Sequence, residues 1–235
     1  MTVDQEDFAR LLAVLDGSSD GVAALAELPA ERCAAALGLD GVSVSLACPT
    51  SLELVWFDAA DRRGTDWEDL QFTVGEGPSW DAAWEATAIL EPDLRLVPQE
   101  RWPALLGDPS GPPPVRAAVA IPLQLGEFSL GTLSGYRASP GLPDPLRIAD
   151  TVLLAAAVTR ALLTPAMAWR ANGERRAAPL HRAVVHQAAG RLAAHHGDRI
   201  DQALDRLRAH AYLRGRPLLE VARQVVEDGV RLEDD

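Results

Sequence analysis

The chain has 235 residues, 48% of them apolar and 24% charged, with a formal net charge of -12. This composition buries a core and the length exceeds one ordinary domain, which excludes an unstructured chain and predicts two domains. Residues 1–164 carry a net charge of -14 and residues 165–235 a net +2, with 11 Arg against 5 acids in residues 170–226, so an acidic body precedes a basic module, and uniform coating of nucleic acid is excluded.

Phe8, Leu11, Leu12 and Leu15 form an apolar stripe that predicts a first helix, broken at Gly17-Ser18-Ser19. A second helix follows, capped at Asp20, kinked at Pro29 and ended by Gly38. From Gly41 the period becomes two: Val42, Val44 and Leu46 predict a strand, with residues 52–57 as its hairpin partner. An acidic loop comes next, then strands at 70–74, 88–90, 117–123 and 128–136, the last pair joined by a turn at Leu125-Gly126-Glu127. Short helices are expected at 79–86 and 99–106, and Gly111-Pro112-Pro113-Pro114 reads as a stiff loop.

Residues 143–163 predict a long helix. Leu142, Leu146, Ala149, Leu153, Ala156 and Leu163 follow a seven-residue pattern interrupted by Arg160, which suits either a homodimer helix or burial on the protein's own sheet. The best apolar run, residues 151–163, is only 13 residues long and contains Arg160, whereas a membrane span needs roughly 20 apolar residues, and no membrane partner is expected. Thr164-Pro165 restarts a helix, and residues 171–179 form a linker. Three short amphipathic helices then follow. Leu180, Val184, Ala188 and Leu192 define the first, ending near Gly197; Asp198 caps the second, which buries Ile200, Ala203, Leu204, Leu207 and Ala211; Pro217 opens the third. The tail from Glu227 is acidic.

Two cysteines, Cys33 and Cys48, exclude a disulfide framework, and the first residues lack a signal-peptide pattern, so a cytoplasmic protein is expected. Either thiol can sense oxidation or pack as a small hydrophobe. Gly75-Glu76-Gly77-Pro78 lacks the Gly-Lys-Ser/Thr ending of a phosphate loop and reads as a turn. Adjacent His195 and His196 diverge on a helix without a third ligand, so no metal is expected. No catalytic constellation has recognisable context, and an enzyme is not expected.

The blocks Val185-His186-Gln187-Ala188-Ala189-Gly190-Arg191-Leu192, residues 201–208 and residues 218–226 resemble an ANTAR domain. That resemblance implies a three-helix unit that binds paired RNA hairpins in nascent transcripts and prevents a terminator from forming. Residues 75–82 and 130–137, in that order, are similar to a GAF domain, which implies a sensor with an antiparallel sheet and flanking helices. The expected class is therefore α+β: a GAF-like domain followed by a small all-α ANTAR-like domain. The expected organisation is a first helix at 1–19, a sensor at 20–164, an extension and linker at 165–178, an RNA-binding domain at 179–228 and a tail at 229–235.

The RNA-binding candidates are Arg182, Gln187, Ala188, Gly190, Arg191, Arg206, Arg208, Arg214 and Arg216: arginine planes and amides suit phosphates and unstacked loop bases, and small residues let a backbone approach, or pack against a neighbouring helix. Tyr212 can stack on a base or pack in the bundle. Ala189 stands where such domains carry a lysine and Ala193 where they carry a methionine, and Arg182 and Arg191 are the nearest compensating charges. A sensor pocket is expected at Trp80, Trp84, Leu90 and Val119, for a small molecule or protein signal of unknown identity; no cofactor is assigned. The alternatives are a DNA-binding transcription factor and a protein-interaction module without nucleic-acid affinity.

Overall fold

The computed structural model describes residues 3–17, 25–107, 111–163 and 181–227. The expected cap Asp20, the Thr164-Pro165 restart, the linker and the acidic tail lie outside them.

Helix α1 spans Val3–Gly17 and α2 Ala30–Leu37. Pro29 divides the expected second helix rather than kinking it. It sits extended at φ -74°, ψ 112°, just ahead of α2, where its missing N–H costs nothing. Strands β1 (Gly41–Cys48) and β2 (Ser51–Trp56) form the expected hairpin. Residues 70–74, expected as a strand, are instead the end of α3, Arg62–Val74. The Asp61 carboxylate accepts the Gly64 N–H at the start of this helix, and Trp67, Glu68, Gln71 and Phe72 are its buried face, a spacing of one, three and one that belongs to a helix. Gly75, at φ 70°, closes it in the left-handed region.

After the turn at Gly75-Glu76-Gly77 come α4 (Pro78–Glu85), β3 (Ile89–Glu91), two short 3₁₀ turns and α5 (Pro103–Leu106). Strands β4 (Ala117–Leu125) and β5 (Phe128–Arg137) complete a five-stranded antiparallel sheet in the order β2-β1-β5-β4-β3. Gly131 has φ 145°, and a side-chain carbon there would lie 2.0 Å from the Ser45 carbonyl oxygen, so only glycine lets β5 cross β1 this closely.

Strand alternation divides the core. Val119, Ile121, Leu123, Val44 and Leu133 pack under α1, α2 and helix α6, Pro145–Leu163. Ala118, Ala120 and Tyr136 pack with Trp67, Ala82, Trp102 and Leu105 beneath α3, α4 and α5. The face of α6 bearing Leu154, Ala155, Val158 and Ala161 lies on the sheet, while Leu146, Val152, Leu153 and Leu163 remain exposed.

Three further helices, α7 (Ala183–His196), α8 (Ile200–Leu213) and α9 (Leu218–Glu227), form a bundle around Val185, Ala188, Ala189, Leu192, Leu207, Val221 and Val225. Asp198 is not the cap of α8. It accepts Arg206 Nη2 at 3.2 Å, and Gln202 Oε1 instead accepts the Arg199 N–H. Phe72 of α3 belongs to this bundle's core, so the bundle packs against α3.

Candidate nucleic-acid interface

The amino-terminal end of α7 lies against α3 and β2. Arg182, 1% exposed, donates through Nε to Asp69 Oδ1 at 2.9 Å and through Nη1 to the Leu52 carbonyl at 2.9 Å. Its Nη2 lies 2.8 Å from the same Asp69 oxygen, within ion-pair distance but without hydrogen-bond alignment. His181 Nε2 meets Asp69 Oδ2 at 3.1 Å, and His186 Nε2 meets Glu53 Oε1 at 2.8 Å. The Arg182 and Arg208 guanidinium carbons lie 4.2 and 4.4 Å from the centre of the Phe72 ring, within cation–π range. Tyr212 donates to the Ala104 carbonyl at 3.3 Å, a packing role tying α8 to α5.

Electrostatics favour this arrangement. Burial pushes the Asp69 carboxyl up, but the His181 hydrogen bond and the Arg182 charge outweigh it and hold Asp69 below its ordinary value. Glu53 is depressed in the same way by His186 and Arg182 against its burial. Arg208 is less well served. Desolvation lowers its pKa and the nearby Arg182 charge adds to this, while its ion pair with Asp205 is long at 3.5 Å. Among the described residues, Nε and Nη2 of Arg208, and Nε1 of Trp80 beside it, are buried without a hydrogen-bond partner.

The nine expected RNA-binding residues do not form one surface. Arg182 and Arg208 are buried against α3. Ala188, 0% exposed, packs inside the bundle together with Ala189, so these small residues serve helix packing, and the position where a lysine was expected faces the interior. Gly190 is different: a side-chain carbon there would meet nothing within 4 Å. Gln187 is exposed. Arg191 donates to the Val225 and Val226 carbonyls, satisfying the carboxyl end of α9. Arg206 pairs with Asp198, Arg216 with Glu220 and Gln224, and Arg214 is exposed.

The four expected pocket residues do not meet. Trp80 and Trp84 stack at 4.6 Å on α4. Val119 points to the opposite sheet face, and Leu90 pairs with it in register, half exposed at the edge. The space beneath α3 and α4 is filled: a void of about 10 Å³, about one water's worth, remains beside Ser43, Asp61, Glu68, Ser134 and Tyr136. Ser43 donates to Glu68 at 3.0 Å, and Ser79 and Ser134 hydroxyls are 2.7 Å apart. Burial raises the Glu68 carboxyl despite the Arg182 charge and the serine hydrogen bonds. The cysteines are separate in character: Cys33 is buried, its thiol pushed up to about 12 by desolvation, and Cys48 is partly exposed. His195 and His196 rings meet edge to face at 5.0 Å. Among the described residues no three His, Cys, Asp or Glu side chains are grouped to hold a metal, and no helix is long and apolar enough to cross a membrane.

Residues 174–226 match the ANTAR domain family. The remainder resembles solved GAF-fold structures. The GAF domain of an Acinetobacter phosphoenolpyruvate-protein phosphotransferase superposes with a TM-score of 0.53 at 13% identity, covering 74% of this chain and 100% of that one. Its Coxiella burnetii counterpart gives 0.50 at 17%, covering 68% and 92%. A free methionine-R-sulfoxide reductase from Neisseria meningitidis gives 0.51 at 16%, covering 69% and 89%. No curated protein matches the sequence. Residues 174–226 are thus an ANTAR domain, and the part before them has the GAF fold.

Proposed function

We propose that the protein is a signal-responsive RNA-binding regulator that acts by transcription antitermination, its GAF-fold domain controlling its ANTAR domain. The observation that carries this reading is the ANTAR match over 174–226 falling on a three-helix bundle whose basic side chains lie at its surface and its joint with the sensor. A hairpin loop offers phosphates and unstacked bases, which arginine planes and amides such as Gln187 recognise. The protein acts as a homodimer through the outward stripe of α6, Leu146, Val152, Leu153 and Leu163, in the cytoplasm, and its input is a small molecule or a protein rather than a reaction it catalyses. Any such signal must bind two interdomain arrangements with different affinity, since equal affinity shifts nothing.

A gel-shift titration of the full chain at about 150 mM salt, where weak phosphate attraction is screened, tests it. An RNA with two hairpins in series is expected to bind, and the same RNA with altered loops to bind at least tenfold more weakly. Preference for duplex DNA, or binding to none of the probes by a chain whose domains have been opened, would overturn it.

A further inference from the structure

The basic face formed by Arg182 and His186 of α7 with Arg208 of α8 is turned onto the sensor domain. What it meets there is a set of anionic oxygens and a flat ring: the carboxylates of Asp69 and Glu53, the Leu52 carbonyl and the face of Phe72. A nucleic acid offers the same chemistry, charged oxygens for guanidinium and imidazole groups and planar bases for cation stacking. The fit to the sensor is incomplete. Among the described residues, Nε and Nη2 of Arg208 are buried without a hydrogen-bond partner and its ion pair with Asp205 is long at 3.5 Å, and an unmet buried donor is a standing cost of the docked state. Gly190, two turns from Arg182 and one from His186 along the same line of α7, has open space over its backbone.

We propose that this face is the phosphate-contacting surface of the ANTAR domain and that Asp69 and Glu53 occupy it as carboxylate substitutes, so that RNA and the sensor domain compete for one surface. The inference rests on the RNA-binding reading above. Its consequence is that RNA affinity reports the docking equilibrium: if nine molecules in ten are docked, the apparent affinity is about one tenth of the intrinsic one. The signal that frees RNA binding is then anything that binds the undocked arrangement better.

Two measurements on the full chain decide it. The first is amide hydrogen exchange of the wild type with and without a synthetic RNA carrying two hairpins in series. The expected result is faster exchange at residues 51–56 and 62–74, which lose their cover, with protection around Arg182, His186 and Arg208 retained because RNA replaces the carboxylates there. Unchanged or slower exchange at 62–74 in an RNA-saturated sample overturns the competition and leaves RNA binding standing. The second is Asp69→Arg, which places a like charge against Arg182 and expels the output domain without altering it. RNA affinity is expected to rise about tenfold or more, and adding Arg208→Ala is expected to remove that gain. An Asp69→Arg variant that is open by small-angle scattering and binds RNA no better than wild type overturns the inference. Failure of the opened variant to bind any RNA overturns both this inference and the RNA-binding reading.

Discussion

Glu68 and its serine neighbours fill the space beneath α3 and α4. A fully buried carboxyl whose hydrogen bonds come from Ser43 and, more weakly, Ser79 prefers to be neutral, and its pKa is raised chiefly by desolvation. The sign follows: the folded state holds this proton more tightly than the unfolded chain does. The group's stability contribution is therefore complete below the ordinary glutamate value of about 4.3 and is lost as pH rises through the raised native value. Glu68→Gln keeps an acceptor for Ser43 and cannot titrate. Thermal unfolding is expected to show the variant gaining on the wild type as pH rises above the ordinary glutamate value, and a wild type that gains on the variant over that rise would contradict the burial argument. The thiols give a second test. Cys33 lies in the core with its pKa near 12, whereas Cys48, at the end of β1, is partly exposed. One thiol per folded chain is expected to react with a chromogenic disulfide within minutes, and Cys48→Ser is expected to abolish that phase. A fast phase that survives in Cys48→Ser would show that the core opens.

At the scale of elements, α6 is the clearest unfinished surface. Leu153 is 54% exposed on a helix whose other side is sealed by Leu154, Ala155 and Val158. Leu153→Glu therefore costs little within one chain, since exposed substitutions usually change stability by less than about 0.5 kcal/mol, but it places two carboxylates against each other in a two-fold helix pair. The expected outcome is an unchanged thermal midpoint with conversion from dimer to monomer by sedimentation equilibrium. A wild type that is already monomeric removes the dimer from the proposal. Elements of this kind were readable in the sequence because period carries their buried face: the alternation at Val42, Val44 and Leu46 and the four-residue recurrence at Val184, Ala188 and Leu192 both lie on elements of the expected type. Helix α3 was not readable. Leu70-Gln71-Phe72-Thr73-Val74 alternates like a strand and is rich in β-favouring side chains, and its helical state is set by the Asp61 cap and by Trp67 and Phe72 reaching two different cores. That misreading hid the joint, because α3 is the element against which the carboxy-terminal bundle packs.

For the whole molecule, the joint between domains rests on groups no periodicity distinguishes. Asp69 and Glu53 are two of 34 acids, and Arg182 lies 113 and 129 residues from them, so the partner of each arginine was invisible while the basic character of the module was plain. The same joint makes stability depend on pH in the sense opposite to Glu68. Burial would raise the Asp69 carboxyl, yet His181 and Arg182 hold it below its ordinary value. Its contribution is therefore fully present above the unfolded aspartate value of about 3.9 and is lost as pH falls through the lowered native value. Asp69→Asn retains an oxygen for Arg182 but removes the charge, and charge-assisted hydrogen bonds are worth about 1.5–3 kcal/mol against about 1 for neutral ones. The variant is expected to have a lower thermal midpoint than the wild type, with a difference that is present above the ordinary aspartate range and shrinks as pH falls below it. A difference that is independent of pH, or that widens in acid, would mean that the ionised form of Asp69 does not hold the domains together. Faster amide exchange in α7 of the variant at neutral pH would locate the loss at the joint, because the bundle's own core, built on Val185, Leu207 and Val221, does not depend on that carboxylate.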